Sequence, residues 1–261
     1  MKKLANEIVT WLEDYAEKSG RKSWVVGVSG GVDSGLVSTL CAMTGLPTHC
    51  VILPCQSKPE HSEAGEAHIS WLQSNFKTIN RHLIDLTSTF NAFMRTLPPD
   101  VGNNELAFAN AKSRLRMIAL YQVATVYGGL VVGTGNKIED FTIFFYTKYG
   151  DGAVDISPIA NLTKTEVRQM CRELNVIPEI SEAVPTDGLW EDGRTDEQAI
   201  GASYEELEWV VSFLELTGGY PTQETIDGHM TPRQREILNV YNKWHNAGKH
   251  KSLPIPTFKR K

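Results

Sequence analysis

The stretch WVVGVSGGVDSGLVSTL, residues 24–40, passes from an apolar, β-branched run through a turn of small residues into a helical pattern. A buried strand, a tight turn and a helix in direct succession leave a chain few architectures, because the helix must fold back over the sheet that its strand joins. The alternation continues. HCVILP (49–54) reads as a second buried strand and about 59–75 as a helix. TINRHLIDL (78–86) contains a third strand, and helices are expected at about 87–96 and 104–127. GGLVVGTG (128–135) is a fourth strand ending in another small-residue turn. Ahead of them, Leu4, Ile8, Trp11, Leu12 and Tyr15 recur at helical spacing, with Gly20 as the stop. Strands alternating with helices predict an α/β protein with a Rossmann-like, doubly wound, mostly parallel sheet. Ligands of such sheets bind at the carboxyl ends of the strands, where both glycine turns, 27–34 and 133–136, would lie.

The second half changes character. Thr163 and Glu166 have capping-box spacing. Residues 181–201 are polar and aperiodic, which reads as a long loop, either disordered or functional. Helices follow at about 203–216 and 231–246, the latter opened by Thr231-Pro232. The basic, proline-containing stretch 249–261 follows them. No repeat interrupts the 261 residues, and they read as a single domain over 1–261.

Composition excludes several function classes. A net charge of -5 argues against a chain whose main task is gripping nucleic acid. No run approaches 18 apolar residues, so no membrane partner is expected, and the N-terminus lacks the apolar core of a signal peptide. Cys41, Cys50, Cys55 and Cys171 form no CxxC pair and read as reduced core thiols of a cytoplasmic protein. His61 and His68 have no metal-site spacing and read as surface histidines.

The turn itself admits three readings. GVSGG (27–31) matches the G-x-S-x-G elbow of serine hydrolases, for which Asp155 with His229 or His250 would have to complete a triad. A tight strand-to-helix turn capped by Asp33 is the second. In the third, Ser29, Gly30 and Gly31 turn successive backbone N–H groups toward an anion, the helix adds its positive end, and Ser34 adds a hydroxyl. Asp33 would repel a bare phosphate, and suits a loop whose phosphates share a magnesium ion. A Walker A loop is excluded, since no GK[ST] follows the glycines.

SGGVDS, Ser29 to Ser34, resembles the signature loop of the ATP pyrophosphatases, which split ATP between the α and β phosphates. Six further stretches narrow the resemblance: NAKSRLRM (110–117), GTGNKIE (133–139), FYTKYGDGAVDISPI (145–159), LTKTEV (162–167), VPTDGLW (184–190) and RTDEQAIGASYEELE (194–208). Their order and spacing are similar to those of ammonia-dependent NAD synthetases, over nearly the whole chain. The resemblance implies an ATP site of Gly27, Val28, Ser29, Gly30, Gly31, Val32, Asp33, Ser34, Thr134, Lys164 and Thr186, with Asp33 and Glu139 holding Mg2+. It implies that Arg114, Lys148, Asp155, His250 and Lys251 contact the substrate, deamido-NAD (nicotinic acid adenine dinucleotide). Taken alone, these residues have plainer readings: Arg114 as a solvated helix arginine, Thr134 as a turn residue, Glu139 as a surface carboxylate, His250 and Lys251 as a frayed basic tail. Lys164 would stand at the first position of a helix, where a cation opposes the macrodipole; this is tolerable at a surface, or else compensated by a bound phosphate. The stretch 139–148 is one residue longer than in some relatives, which leaves Phe144 to Tyr146 without a fixed register.

The reaction so implied joins ammonia to deamido-NAD, with ATP cleaved to AMP and pyrophosphate, by a homodimer. Only 28 residues precede Ser29, too few for the amidase domain of glutamine-using relatives, which points to ammonia as donor. Two other classes remain: an ATP pyrophosphatase acting on tRNA, against which the acidic charge and missing CxxC count, and a serine hydrolase.

Overall fold

The computed structural model describes residues 1–57, 59–102, 104–183, 195–222, 226 and 228–260. The chain opens with α1 (Lys2–Ser19), which ends at Gly20 as the sequence predicts. Its buried stripe is Ala5, Val9, Leu12 and Ala16, whereas Trp11 and Tyr15 are 43% and 38% exposed. The helix therefore packs through its small and aliphatic residues, one step round from the aromatic face. Then follow β1 (Trp24–Gly27), α2 (Val32–Met43), β2 (Thr48–Ile52), α3 (Pro59–Asn75), β3 (Ile79–Leu83), α4 (Thr87–Met94), α5 (Glu105–Tyr127) and β4 (Leu130–Val131).

The four strands form one parallel sheet in the order β3-β2-β1-β4. A bridge from Val132 to Ile156 extends the β4 edge. Because β1 continues outward to β2 and β3 on one side and to β4 on the other, the winding reverses between β1 and β4. A crevice must open there, at the carboxyl ends. One face of the sheet packs Trp24, Val26, Leu36 and Leu40 with residues from α1 and with Val167 and Met170. The other packs Val25, Val51 and Val131 beneath α4 and α5. All four cysteines are free and buried, as expected.

Beyond the sheet lie α6 (Lys164–Glu173), α7 (Pro178–Ser181), α8 (Asp196–Ile200), α9 (Tyr204–Thr217) and α10 (Pro232–Gly248), then a 3-10 turn, Lys249–Lys251. The capping box expected at Thr163 is formed and Thr231-Pro232 opens α10 as expected, while Thr195, Ser203 and Thr231 prove to carry capping boxes of their own. Each satisfies two otherwise orphaned N–H groups. Helices α9 and α10 make a second core with Ile138 and Ile143. The polar stretch 181–201 is thus not one continuous loop: its ends belong to α7 and α8, and 184–194 lies outside the described residues.

Candidate active site

Between β1 and β4 the sheet opens into a cleft of about 820 Å³, lined by the strand ends Gly27, Ile52 and Val132. The loop after β1 forms one wall. Gly30 has φ 88°, a left-handed conformation that a side chain would resist, and it lets the chain turn directly into α2. Ser34 Oγ closes the loop on itself: it accepts from the Ser29 amide at 3.2 Å and donates to Gly31 O at 2.9 Å. The Ser29 and Ser34 hydroxyls are 3.1 Å apart, and the Gly31 amide donates to Ser29 Oγ at 3.2 Å. The first-turn amides of α2 have no partners within the helix, so the loop offers donors to an anion.

The hydrolase constellation is not assembled among the described residues. Ser29 Oγ bonds to Ser34 and Gly31 rather than to a histidine, and its φ is not in the strained region of a nucleophile elbow. Asp155, the acid nominated for it, is committed elsewhere. It accepts from the Val131 amide at 2.8 Å and from the Tyr121 hydroxyl at 3.3 Å, bracing the β4 edge.

Beside the loop, three charges meet. Lys164 Nζ lies 2.5 Å from Asp33 Oδ2 and 2.8 Å from Glu139 Oε1. Its side chain is only 3% exposed, so the helix-surface reading of Lys164 is corrected: the ammonium is a buried bridge between the two carboxylates assigned to the metal. Burial works against all three charges. For Lys164 the two carboxylates outweigh it and hold the ammonium above its ordinary pKa. For Glu139 the lysine likewise outweighs it and lowers the carboxyl, whereas for Asp33 burial prevails and raises it. Asn136, fully buried, ties the group together. Its Oδ1 accepts from the Ile138 and Glu139 amides, both at 3.0 Å, and its Nδ2 reaches Asp33 Oδ1 at 3.3 Å.

Glu139 opens a π-helical turn, Glu139–Ile143, in which the Ile143 amide bonds back to Ile138 O. Such a turn accommodates one extra residue. After it, Thr147, Lys148, Gly150 and Asp151 of TKYGDG line the cleft. Phe144 then points into the core, with Phe145 and Tyr146 on the cleft.

On the remaining wall, Asn110 and Arg114 share a face of α5, and both reach the same segment. Thr147 donates to Asn110 Oδ1 at 2.6 Å, and the Arg114 guanidinium donates to Lys148 O at 3.3 Å. Lys148 Nζ lies 3.3 Å from His250 O, and Lys251 Nζ donates to the carbonyls of Phe144 and Tyr146 at 2.8 and 2.6 Å. The turn that carries His250 and Lys251 is therefore anchored on the cleft rather than frayed. Fourteen of the sequence-predicted residues line this one cleft: Gly27, Val28, Ser29, Gly31, Val32, Asp33, Ser34, Arg114, Thr134, Glu139, Lys148, Lys164, His250 and Lys251. Gly30 shapes the loop without lining it, Asp155 stays outside, and Thr186 lies outside the described residues.

The sequence reading missed three participants. Tyr204, 1% exposed, donates its hydroxyl to Glu139 Oε1 and sits 3.4 Å from Asp196 Oδ2, with Lys164 Nζ 4.9 Å from its ring. Both tyrosine and aspartate belong to RTDEQAIGASYEELE, so the motif held the signal without saying which members face the site. Asp140 lines the cleft, and burial followed by the neighbouring Asp151 raises its carboxyl well above the ordinary range. His68 is another correction. It is fully buried, with Nε2 2.9 Å from Ser38 Oγ and its ring stacked on Trp71. The side chain of His61 lies outside the described residues.

A parallel sheet with a glycine-serine loop at its reversal point, backed by two carboxylates and a lysine, is the arrangement of α/β nucleotide-binding folds. The family model of NAD synthase matches residues 4–254, and the chain belongs to that family; it is a carbon–nitrogen ligase. The NH(3)-dependent NAD(+) synthetase of Methanosarcina acetivorans is 36% identical over 260 residues, 97% of either chain. That of Alkaliphilus metalliredigens is 39% identical over 213 residues, 80% of this chain and 84% of its own. Among solved structures, the NMN synthetase of Francisella tularensis superposes with a TM-score of 0.84 at 30% identity, covering 99% of this chain and 98% of its own.

Proposed function

We propose that this protein amidates nicotinic acid adenine dinucleotide with ammonia and ATP, releasing NAD, AMP and pyrophosphate. One observation carries the reading: in a chain of the NAD synthase family, the SGGVDS loop, the Asp33–Lys164–Glu139 group and the cations Arg114, Lys148 and Lys251 all face a single cleft. The nicotinate carboxylate attacks the α-phosphorus of ATP, forming an adenylated dinucleotide as pyrophosphate leaves. Ammonia then attacks the acyl carbon, and AMP departs with the former carboxylate oxygen. Neither step needs an enzyme nucleophile, consistent with Ser29 serving the phosphate cradle.

Charge builds on the departing pyrophosphate, and Lys164, the loop amides and the positive end of α2 are placed to receive it. Holding two large reactants in one cleft supplies much of the remaining acceleration. Asp33 and Glu139 fit a magnesium ion. Their oxygens already converge on one cation, and magnesium is commonly held by one or two carboxylates together with substrate phosphates. When bound there, it would neutralise charge on the phosphate chain. We further propose a homodimer in the cytoplasm. Support comes from Leu106, Ile118 and Val126, 58–64% exposed along α5, and from four buried free thiols, which suit a reducing compartment. No helix among the described residues is long and apolar enough to cross a membrane.

A second reading is favoured by the Francisella structure, that of an enzyme named for making NMN, the mononucleotide half of NAD. The same activation chemistry would then act on nicotinic acid mononucleotide. Rates with each acceptor, at equal ATP and ammonium, decide. A higher kcat/KM for the dinucleotide supports the first reading and a higher one for the mononucleotide the second. ATP cleavage with neither removes both.

A further inference from the structure

Lys164 is exposed to two penalties at once. Its ammonium is almost wholly removed from water, and it stands in the first turn of α6, where the helix dipole repels a cation. Locally only Glu166 works against the dipole, and its carboxylate is engaged by the Thr163 amide rather than by the ammonium. The offset comes from Asp33, 131 residues away, and Glu139, 25 residues away. Those carboxylates are in turn fixed from behind: Tyr204 donates to the same Glu139 oxygen that meets the ammonium, and Asn136 reaches the far oxygen of Asp33. The two carboxylates that would hold a metal ion are thus the ones that hold Lys164. A divalent cation entering between them would meet the ammonium at contact distance in a water-poor site, where repulsion between like charges is strongest.

We propose that Lys164 is the built-in counter-ion of Asp33 and Glu139 in the nucleotide-free protein, and that it keeps this pair closed to a free divalent cation until a phosphate chain draws the ammonium away. The inference rests on the reading of the cleft as the ATP site. Its long, flexible stem lets a lysine exchange partners without moving the helix that carries it. A phosphate chain against the Ser29–Ser34 loop supplies the negative charge that both cations need at once. The protein then takes up metal and nucleotide together rather than metal first, and one residue serves in turn as plug and as phosphate ligand.

The test is Mn2+ binding without nucleotide, followed by electron paramagnetic resonance, on the wild-type protein and on Lys164→Met. Folding of the variant is checked by circular dichroism. The proposal expects Lys164→Met to bind one Mn2+ at least about tenfold more tightly than wild type, a difference of about 1.4 kcal/mol. Adding Glu139→Gln to the variant should abolish that gain. Equal Mn2+ affinity of wild type and Lys164→Met overturns the proposal. Should Lys164→Met fail to fold, wild-type crystals soaked in Mn2+ alone decide. Anomalous density between Asp33 and Glu139 without nucleotide overturns the proposal, and density only when pyrophosphate is added supports it. Failure of the underlying ATP-site reading looks different: neither ATP nor pyrophosphate would then bind, with or without Mn2+.

Discussion

Replacing Tyr204 by phenylalanine removes one oxygen atom from the join between the two cores and leaves the ring where it was. The hydroxyl has a single proton, and it goes to Glu139; Asp196 Oδ2, at 3.4 Å, is the more distant acceptor. Because the ring is 1% exposed and stays packed, almost the whole cost is the hydrogen bond to a charged group, about 2 kcal/mol. For a chain of this length about 2 kcal/mol lowers the melting temperature by about 4 °C. The variant should also bind magnesium-ATP about tenfold more weakly, since a ligand carboxylate that loses its support is no longer held in line. Calorimetric melting and initial rates against magnesium-ATP measure both. A melting temperature within about 1 °C of wild type, with unchanged magnesium-ATP dependence, would refute the assignment of Tyr204 to Glu139.

Three further outcomes are expected. Burial pushes His68 down to about 4 from an ordinary 6.5, so the unfolded chain takes up a proton that the native one refuses. Stability should therefore fall by about 3 kcal/mol as pH drops through that window, and His68→Gln should remove that component of the slope in urea titrations at pH values near 7 and 4. At Gly135 a Cβ would stand 2.9 Å from Asp140 Cβ and closer still to its carboxylate, so Gly135→Ala should cost about 2 kcal/mol and weaken ATP binding, read by melting and by equilibrium dialysis. Arg114 is exposed and makes only 3.3 Å hydrogen bonds to Lys148 O; Arg114→Ala should leave the melting temperature unchanged and raise KM for the nicotinate nucleotide at least about tenfold. An unchanged KM would return Arg114 to a solvated helix residue.

What the sequence could and could not reveal divides along range. Strands β1 and β2 are apolar runs and α6, α9 and α10 carry their own caps, so local pattern was enough to place them. The SGGVDS loop was legible for the same reason: its bonds, Ser29 to Ser34 and Gly31 to Ser29, all close within six residues. Lys164 was legible as a candidate but not as a buried bridge, because its two partners come from other strand ends. His68 sits in a helix with glutamates and serines around it, and only Ser38 and Trp71 show why it is inside. Asp155 shows the converse. The family resemblance implied a substrate contact for it, while its carboxylate accepts from the Val131 amide and the Tyr121 hydroxyl.

In the proposed reaction the acceptor carboxylate itself attacks the α-phosphorus of ATP. Deamido-NAD labelled with 18O in its nicotinate carboxylate, turned over with magnesium-ATP and ammonium, tests it by mass spectrometry of the products. One labelled oxygen is expected in AMP and none in pyrophosphate, with NAD equal in amount to both. Unlabelled AMP formed alongside NAD would contradict it, since ATP would then have been cleaved by something other than the substrate.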